Sequence, residues 1–242
     1  MLFAYPPASA YGRVLPKTKI YEFGAPSSAI KALFVQQVEQ IVWQYKLAPS
    51  TTNLPATLAV PEIQIFTIHL KPHVQELHEE VLRCIDKAIP LPILFELRTV
   101  CTNNPSSPEA RNTANTNTKQ GDQVKITAAY KRPSEAGSKQ WVLSHYLSSA
   151  WQAADAAKQP LPVALNLASL YQQLLLPLAS HALRKSESLQ TFMERLVVIS
   201  IAERELQKLN GALKKEKQFN RKVGINTQIR ALQHSLAQLL GE

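Results

Sequence analysis

Residues 93–100 read ILFELRTV. The stretch follows Pro90 and Pro92, and its apolar, aromatic and β-branched residues predict a strand. Strand side chains alternate between the two faces of a sheet. Ile93, Phe95 and Leu97 therefore fall on one side, and Leu94, Glu96 and Arg98 on the other. Glu96 is a charge inside a segment that otherwise reads as buried. A charge in such a place is either paired or functional.

The flanking segments place this strand in a sheet. Upstream, EIQIFTIHLK (62–71) is a second β-branched, aromatic run and predicts a strand. Between them, HVQELHEEVLRCIDKAI (73–89) puts Leu77, Val81, Cys84 or Ile85, and Ala88 on one helical face. Downstream, VKITAAYKR (124–132) and QWVLSHYL (140–147) are strands joined by the turn PSEAGSK. Residues 102–121 contain no large apolar residue and read as a long solvated hairpin connection. Three consecutive strands of this kind predict a meander.

Further upstream, SSAIKALFVQQVEQIVWQYKLAP (27–49) carries Ile30, Phe34, Val38, Ile41 and Tyr45 at steps of three and four. That spacing predicts one amphipathic helix, capped by Ser27 or Ser28 and ended before Pro49. Residues 1–26 read as a proline-rich arm with a short strand at Lys19–Phe23. The order helix, strand, helix, three strands predicts an α+β fold, with a mainly antiparallel sheet and flanking helices.

The remainder reads as helical. Leu167, Leu170, Tyr171, Leu174 and Leu178 share a face, and Pro177 divides that helix. From Ser188 the chain is heptad-like, through Leu189, Phe192, Leu196 and Ile199, then Leu206, Leu209 and Leu213. After the polar stretch KKEKQFNRK (214–222) the pattern resumes with Ile225, Ile229, Leu232, Leu236 and Leu239. Two such helices form an antiparallel hairpin or a dimeric coiled coil, with Gly224 as a candidate joint. The expected organisation is an α+β body over 1–182 and a helical hairpin or coiled coil over 183–242.

Composition limits the function classes. A hydrophobic content of 45% over 242 residues supports a real core. Two cysteines, Cys84 and Cys101, argue against a disulfide framework and fit a reducing cytoplasm. No run of about 18 apolar residues predicts a transmembrane span, and the proline-interrupted start does not read as a signal peptide. Seven glycines and no glycine-rich phosphate loop argue against an ATPase. A net charge of +9 favours an anionic partner, either nucleic acid or an acidic protein surface.

Three stretches carry a family resemblance: IDKAIPLPILFEL (85–97), AAYKR (128–132) and LQKLNGALKKEKQFNRKVGIN (206–226). The chain resembles the bacterial domain-of-unknown-function 4391 family over residues 15–240. Members tend to be encoded beside DNA methyltransferases and superfamily-two helicases in restriction-like or phage-defence clusters. The resemblance implies an antiviral setting and no catalytic residue. The expected role is a cytoplasmic accessory subunit, without a cofactor, that binds DNA, a helicase or methyltransferase partner, or both. Any motor activity would belong to another chain.

The candidate contact residues are Lys214, Lys215, Lys217, Arg221 and Lys222, with Phe219 as a stacking or anchoring residue. The enzymatic alternative is a Mg²⁺-dependent nuclease using Asp86, Glu96 and Lys131, with Arg98 in the slot such enzymes give to lysine. Against it, Asp86 reads as helical and arginine is a poor base. A purely structural scaffold is the third reading. The plain reading of Glu96 is a strand charge neutralised by Lys131 or Arg98 on a mixed face. His69, His73 and His78 cluster in sequence, but Pro72 and a spacing of five speak against a metal site.

Overall fold

The computed structural model describes residues 2–99, 122–134 and 141–241. The predicted connection 102–121 and most of the turn PSEAGSK lie outside the described residues. Two compact units divide the chain, residues 1–179 and 180–242.

The first unit is α+β. Its strands are β1 (Leu2–Ala4), β2 (Ala10–Val14), β3 (Val38–Leu47), β4 (Ile63–Leu70), β5 (Ile93–Thr99), β6 (Gln123–Pro133), β7 (Trp141–Ser148), β8 (Gln152–Ala153) and β9 (Lys158–Pro160). Its helices are α1 (Lys17–Gly24), α2 (Ser28–Gln37), the single turn α3 (Pro49–Thr52), α4 (Glu79–Ala88) and α5 (Leu167–Leu175). The main sheet runs β2-β3-β4-β5-β6-β7, with β8 also on β6, and β1 pairs with β9 separately. Within the main sheet β4 and β5 are parallel, joined through α4, and the other described pairings are antiparallel. The predicted meander is β5-β6-β7.

The long helix expected over 27–49 is a helix followed by a strand. Ser27 caps α2 by accepting from the Ile30 amide at 3.4 Å, and the chain turns extended at Val38. The sequence misleads because β3 carries bulges against β4, between Val38 and Gln40 and between Trp43 and Tyr45. Each bulge inserts a residue and breaks strict alternation. The first bulge leaves Val38 and Ile41, three residues apart, in one core cluster, and that step imitates a helix; the second puts Tyr45 opposite Ile65, on the other face from Ile41.

The strand expected at Lys19–Phe23 is instead the middle of α1. Burial decides this. Ile20 points into the core, and Gly24 closes against α4, where an added Cβ would meet Cys84 O and Sγ at 2.8 Å. Helix α4 is also shorter than 73–89, because His78 caps it and residues 73–78 form turns.

One core cluster lies where α1, α2 and α4 cover the sheet. Phe34, Ile41, Phe66, Ile85 and Phe95 are among its fully buried members. Two lysines tie helix ends to this layer. Lys17 Nζ donates to Phe34 O at 3.0 Å and Val38 O at 2.6 Å, at the end of α2. Lys131 does the same for α4, donating to the carbonyls of Asp86 and Ile89. Such donors satisfy carbonyls that a helix leaves open at its end. Helix α5 runs beside β6. Its Tyr171 hydroxyl donates to Ala129 O at 2.7 Å and accepts from the Lys131 amide at 3.1 Å, bridging the bulge between those two residues. Pro177 ends α5 in a 3-10 turn, Leu176–Leu178.

The second unit is an antiparallel pair, α6 (Leu189–Lys215) and α7 (Phe219–Leu240). Ile199 and Ala202 meet Leu236, with Leu206, Leu232 and Leu239 packed around them. Within the single chain this seam makes the pair a helical hairpin. The joint is Glu216–Gln218, not Gly224, which lies inside α7. Near the other end, Arg195 binds Glu187 through two bonds of 2.7 and 2.8 Å and reaches Ala182 O and Leu239 O.

Candidate functional site

Strand register settles the surroundings of Glu96. It pairs with Thr67 on β4 and Ile126 on β6, so it shares a face with the apolar residues of β6. The phase between β5 and β6 is thus opposite to the mixed-face pairing expected from sequence. Glu96 is 7% exposed. Its Oε2 accepts from the Thr67 hydroxyl at 3.5 Å and lies 3.6 Å from Arg98 Nη2. Burial raises its carboxyl above the ordinary range, and Arg98 and Lys158 pull it back in part. Arg98 is therefore a true neighbour of Glu96, and Lys131 is not.

Lys131 lies under α4 on the helix-covered side. Its Nζ is 3.2 Å from Asp86 Oδ1, and the Tyr146 hydroxyl donates to Asp86 Oδ2 at 2.5 Å. The structure brings Asp86 and Lys131 together and leaves Glu96 on the opposite face of the sheet. The nuclease triple is not one centre. The physical reason is that Asp86 sits on α4, whose Val81 and Ile85 pack on the face carrying Phe95 and Leu97. Burial raises the Asp86 carboxyl and lowers the Lys131 ammonium, each opposed by the charge of the other. Both groups are used up in closing the end of α4.

The histidines separate as well. His78 caps α4, its Nδ1 accepting from the Glu80 amide at 3.3 Å. His69 stands beside Arg98 in register, and burial lowers its pKa. Among the described residues no group of three His, Cys, Asp or Glu side chains is placed to hold a metal.

The six basic-segment candidates do come together, at the hairpin joint. Lys214 and Lys215 end α6, Lys217 lies in the link, and Phe219, Arg221 and Lys222 open α7. All six are exposed, Phe219 at 78%. Glu216 is the acid within the segment. Its Oε1 accepts from the amides of Gln218 at 2.9 Å and Lys217 at 2.8 Å, and these bonds hold its carboxyl below the ordinary range. Among the described residues none of the five cations forms an ion pair. Lys214 and Lys215 suit the negative end of α6. Arg221 and Lys222 oppose the positive end of α7, a placement that costs about 0.3–1 kcal/mol each. Helix stability does not explain them.

The sequence reading connected none of four residues to Glu96: Tyr5, Thr67 and Lys158, and Tyr45, which it placed on a helix and which stands on β3. Alternation along EIQIFTIHLK places Thr67 and His69 as polar positions on one face, and that was the signal it held. Tyr5 and Lys158 carried none, since the β1–β9 pairing alone brings them near.

No helix of the described residues is long and apolar enough to cross a membrane. Comparison with curated proteins and with solved structures returns no match. The family model described as Domain of unknown function (DUF4391) matches residues 3–236, nearly the whole chain, and the protein belongs to that family.

Proposed function

We propose that the chain is an accessory subunit of a bacterial antiviral, restriction-like defence system, and that its hairpin tip grips the DNA backbone. The observation that carries this reading is the tip itself. Five cations without ion-pair partners among the described residues surround an exposed phenylalanine at the reversal of two long helices. Residues 214–222 hold five basic side chains against one acidic, so four of the nine net charges sit in nine residues. A helix of 27 residues spans about 40 Å, which lets a tip reach into a groove. The helicase or methyltransferase expected as partner would supply motor or modification chemistry.

The test is fluorescence anisotropy of the full chain with a labelled DNA duplex over a salt series. Affinity should fall with salt at roughly −0.9 in log–log slope per phosphate neutralised. Reversal of Lys217, Arg221 and Lys222 to Glu should abolish the binding without lowering the melting temperature, since acids at the start of α7 suit its dipole. Flat anisotropy at low salt would end the DNA reading and turn the tip towards an acidic protein surface.

A further inference from the structure

On the face of the sheet away from α4, a cavity of ≈ 190 Å³ opens above β3, β4 and β5. Tyr45, Thr67, His69, Glu96, Arg98 and Lys158 line it. Tyr5 stands beside it, its ring 4.7 Å from that of Tyr45 and its hydroxyl near enough to Glu96 to feel its charge.

Polar groups with hydrogen-bonding capacity to spare converge here. Arg98 Nε is buried and has no hydrogen-bond partner among the described residues. The contacts of Glu96 with Thr67 and Arg98 both use Oε2, leaving Oε1 open among the described residues. Lys158 is exposed at the rim and is paired with no carboxylate among the described residues. A buried donor left unpaired costs about 1–3 kcal/mol, so a fold that keeps one beside a cavity has a use for it. The buried groups of Asp86, Lys131 and Tyr146 are paired with one another, while Trp43 Nε1 and Gln64 Oε1, away from this cavity, share the condition of Arg98 Nε among the described residues. What sets Arg98 apart is the polar cavity beside it.

We propose that this cavity binds a small organic anion that also carries N–H donors. Arg98 and Lys158 hold the anionic group, and Glu96 Oε1 accepts from the N–H edge. Tyr5 and Tyr45 supply hydroxyls and ring surface alongside. The net charge of the three ionisable groups favours an anion, and the carboxylate rejects one without donors. Free α-amino acids and nucleoside monophosphates are two sources of this chemistry; an amino acid is the smaller, and a nucleotide would extend through the open mouth of the ≈ 190 Å³ cavity.

Isothermal titration of the full chain with the four ribonucleoside monophosphates, the twenty amino acids and inorganic phosphate tests the proposal. The expected result is one-to-one binding by members of one panel with Kd at or below about 1 mM, and phosphate at least about tenfold weaker. Which panel binds names the source. Glu96→Gln and Arg98→Met should each weaken it by about tenfold or more. Lys158→Met, at an exposed position that does not threaten folding, should weaken it as well. No saturable binding by either panel would overturn the proposal. Binding that all three variants leave unchanged would overturn it too.

Discussion

Lys131 Nζ lies 3.2 Å from Asp86 Oδ1, with the two side chains 2% and 3% exposed. The pair, with the Tyr146 hydroxyl and the open carbonyls of α4, welds β6 and β7 to that helix. Removing one member of such a pair strands the other charge and costs about 3–5 kcal/mol. Lys131→Met should therefore lower unfolding free energy by that amount in urea. The double variant Asp86→Asn/Lys131→Met should lose less than the two single losses combined. Additive losses would show that the two residues do not act as a unit.

Two glycines should respond in opposite directions. Gly24→Ala forces a Cβ to 2.8 Å from Cys84 O and Sγ, and overpacking of this kind costs about 1–3 kcal/mol. Gly224 lies inside α7, and a Cβ added there would meet nothing within 4 Å. Gly224→Ala should stabilise the hairpin by roughly 0.5–1 kcal/mol through helix propensity. Chemical denaturation of the two variants measures both signs.

Two glutamates should give opposite pH dependence. Burial raises the Glu96 carboxyl, so the folded state binds more protons than the unfolded chain between the two pKa values. That contribution is present below the unfolded value, about 4.3, and is lost as pH rises through the folded one. Glu96→Gln should gain in melting temperature relative to the parent from pH 4 to pH 7. The hydrogen bonds from Arg195 hold Glu187 below its ordinary range. Its contribution is present above about pH 4.3 and fades as pH falls through the folded value. Glu187→Gln should be less stable than the parent at pH 7, with the gap closing on acidification. Parallel slopes for the two variants would contradict these assignments.

Phe219 separates stacking from charge at the hairpin tip. At 78% exposure its removal should change stability by no more than about 0.5 kcal/mol. Phe219→Ala should weaken binding to single-stranded DNA by about 1–3 kcal/mol and leave the salt slope unchanged. Charge variants should reduce the slope by about 0.9 for each phosphate contact removed. Equal affinity of Phe219→Ala and the parent would confine the tip to electrostatic contact.

Much of the fold was legible because local pattern and tertiary role agree. β4, β5, β6, β7 and α5 stand where their β-branched runs and prolines place them. The heptads of α6 and α7 carry their own seam. β3 was hidden because its first bulge sets Val38 and Ile41 on one face at a helix-like step of three, and its second breaks the alternation again before Tyr45. α1 was hidden because its few apolar residues give little pattern, and contact with α4 decides its form.

The sequence by itself determined the α+β class, the family, and the basic segment that the hairpin displays. The class and the basic segment follow from periodicity, composition and adjacency along the chain, and the family from the likeness of its stretches to that family. Only the tertiary structure decided what Glu96 is near. Pairing register sets which faces of β4, β5 and β6 coincide, and a shift of one residue exchanges them. That register placed Glu96 with Thr67 and Arg98 and gave Lys131 to Asp86. The β1–β9 pairing then brought Tyr5 and Lys158 to Glu96 from more than sixty residues away on either side.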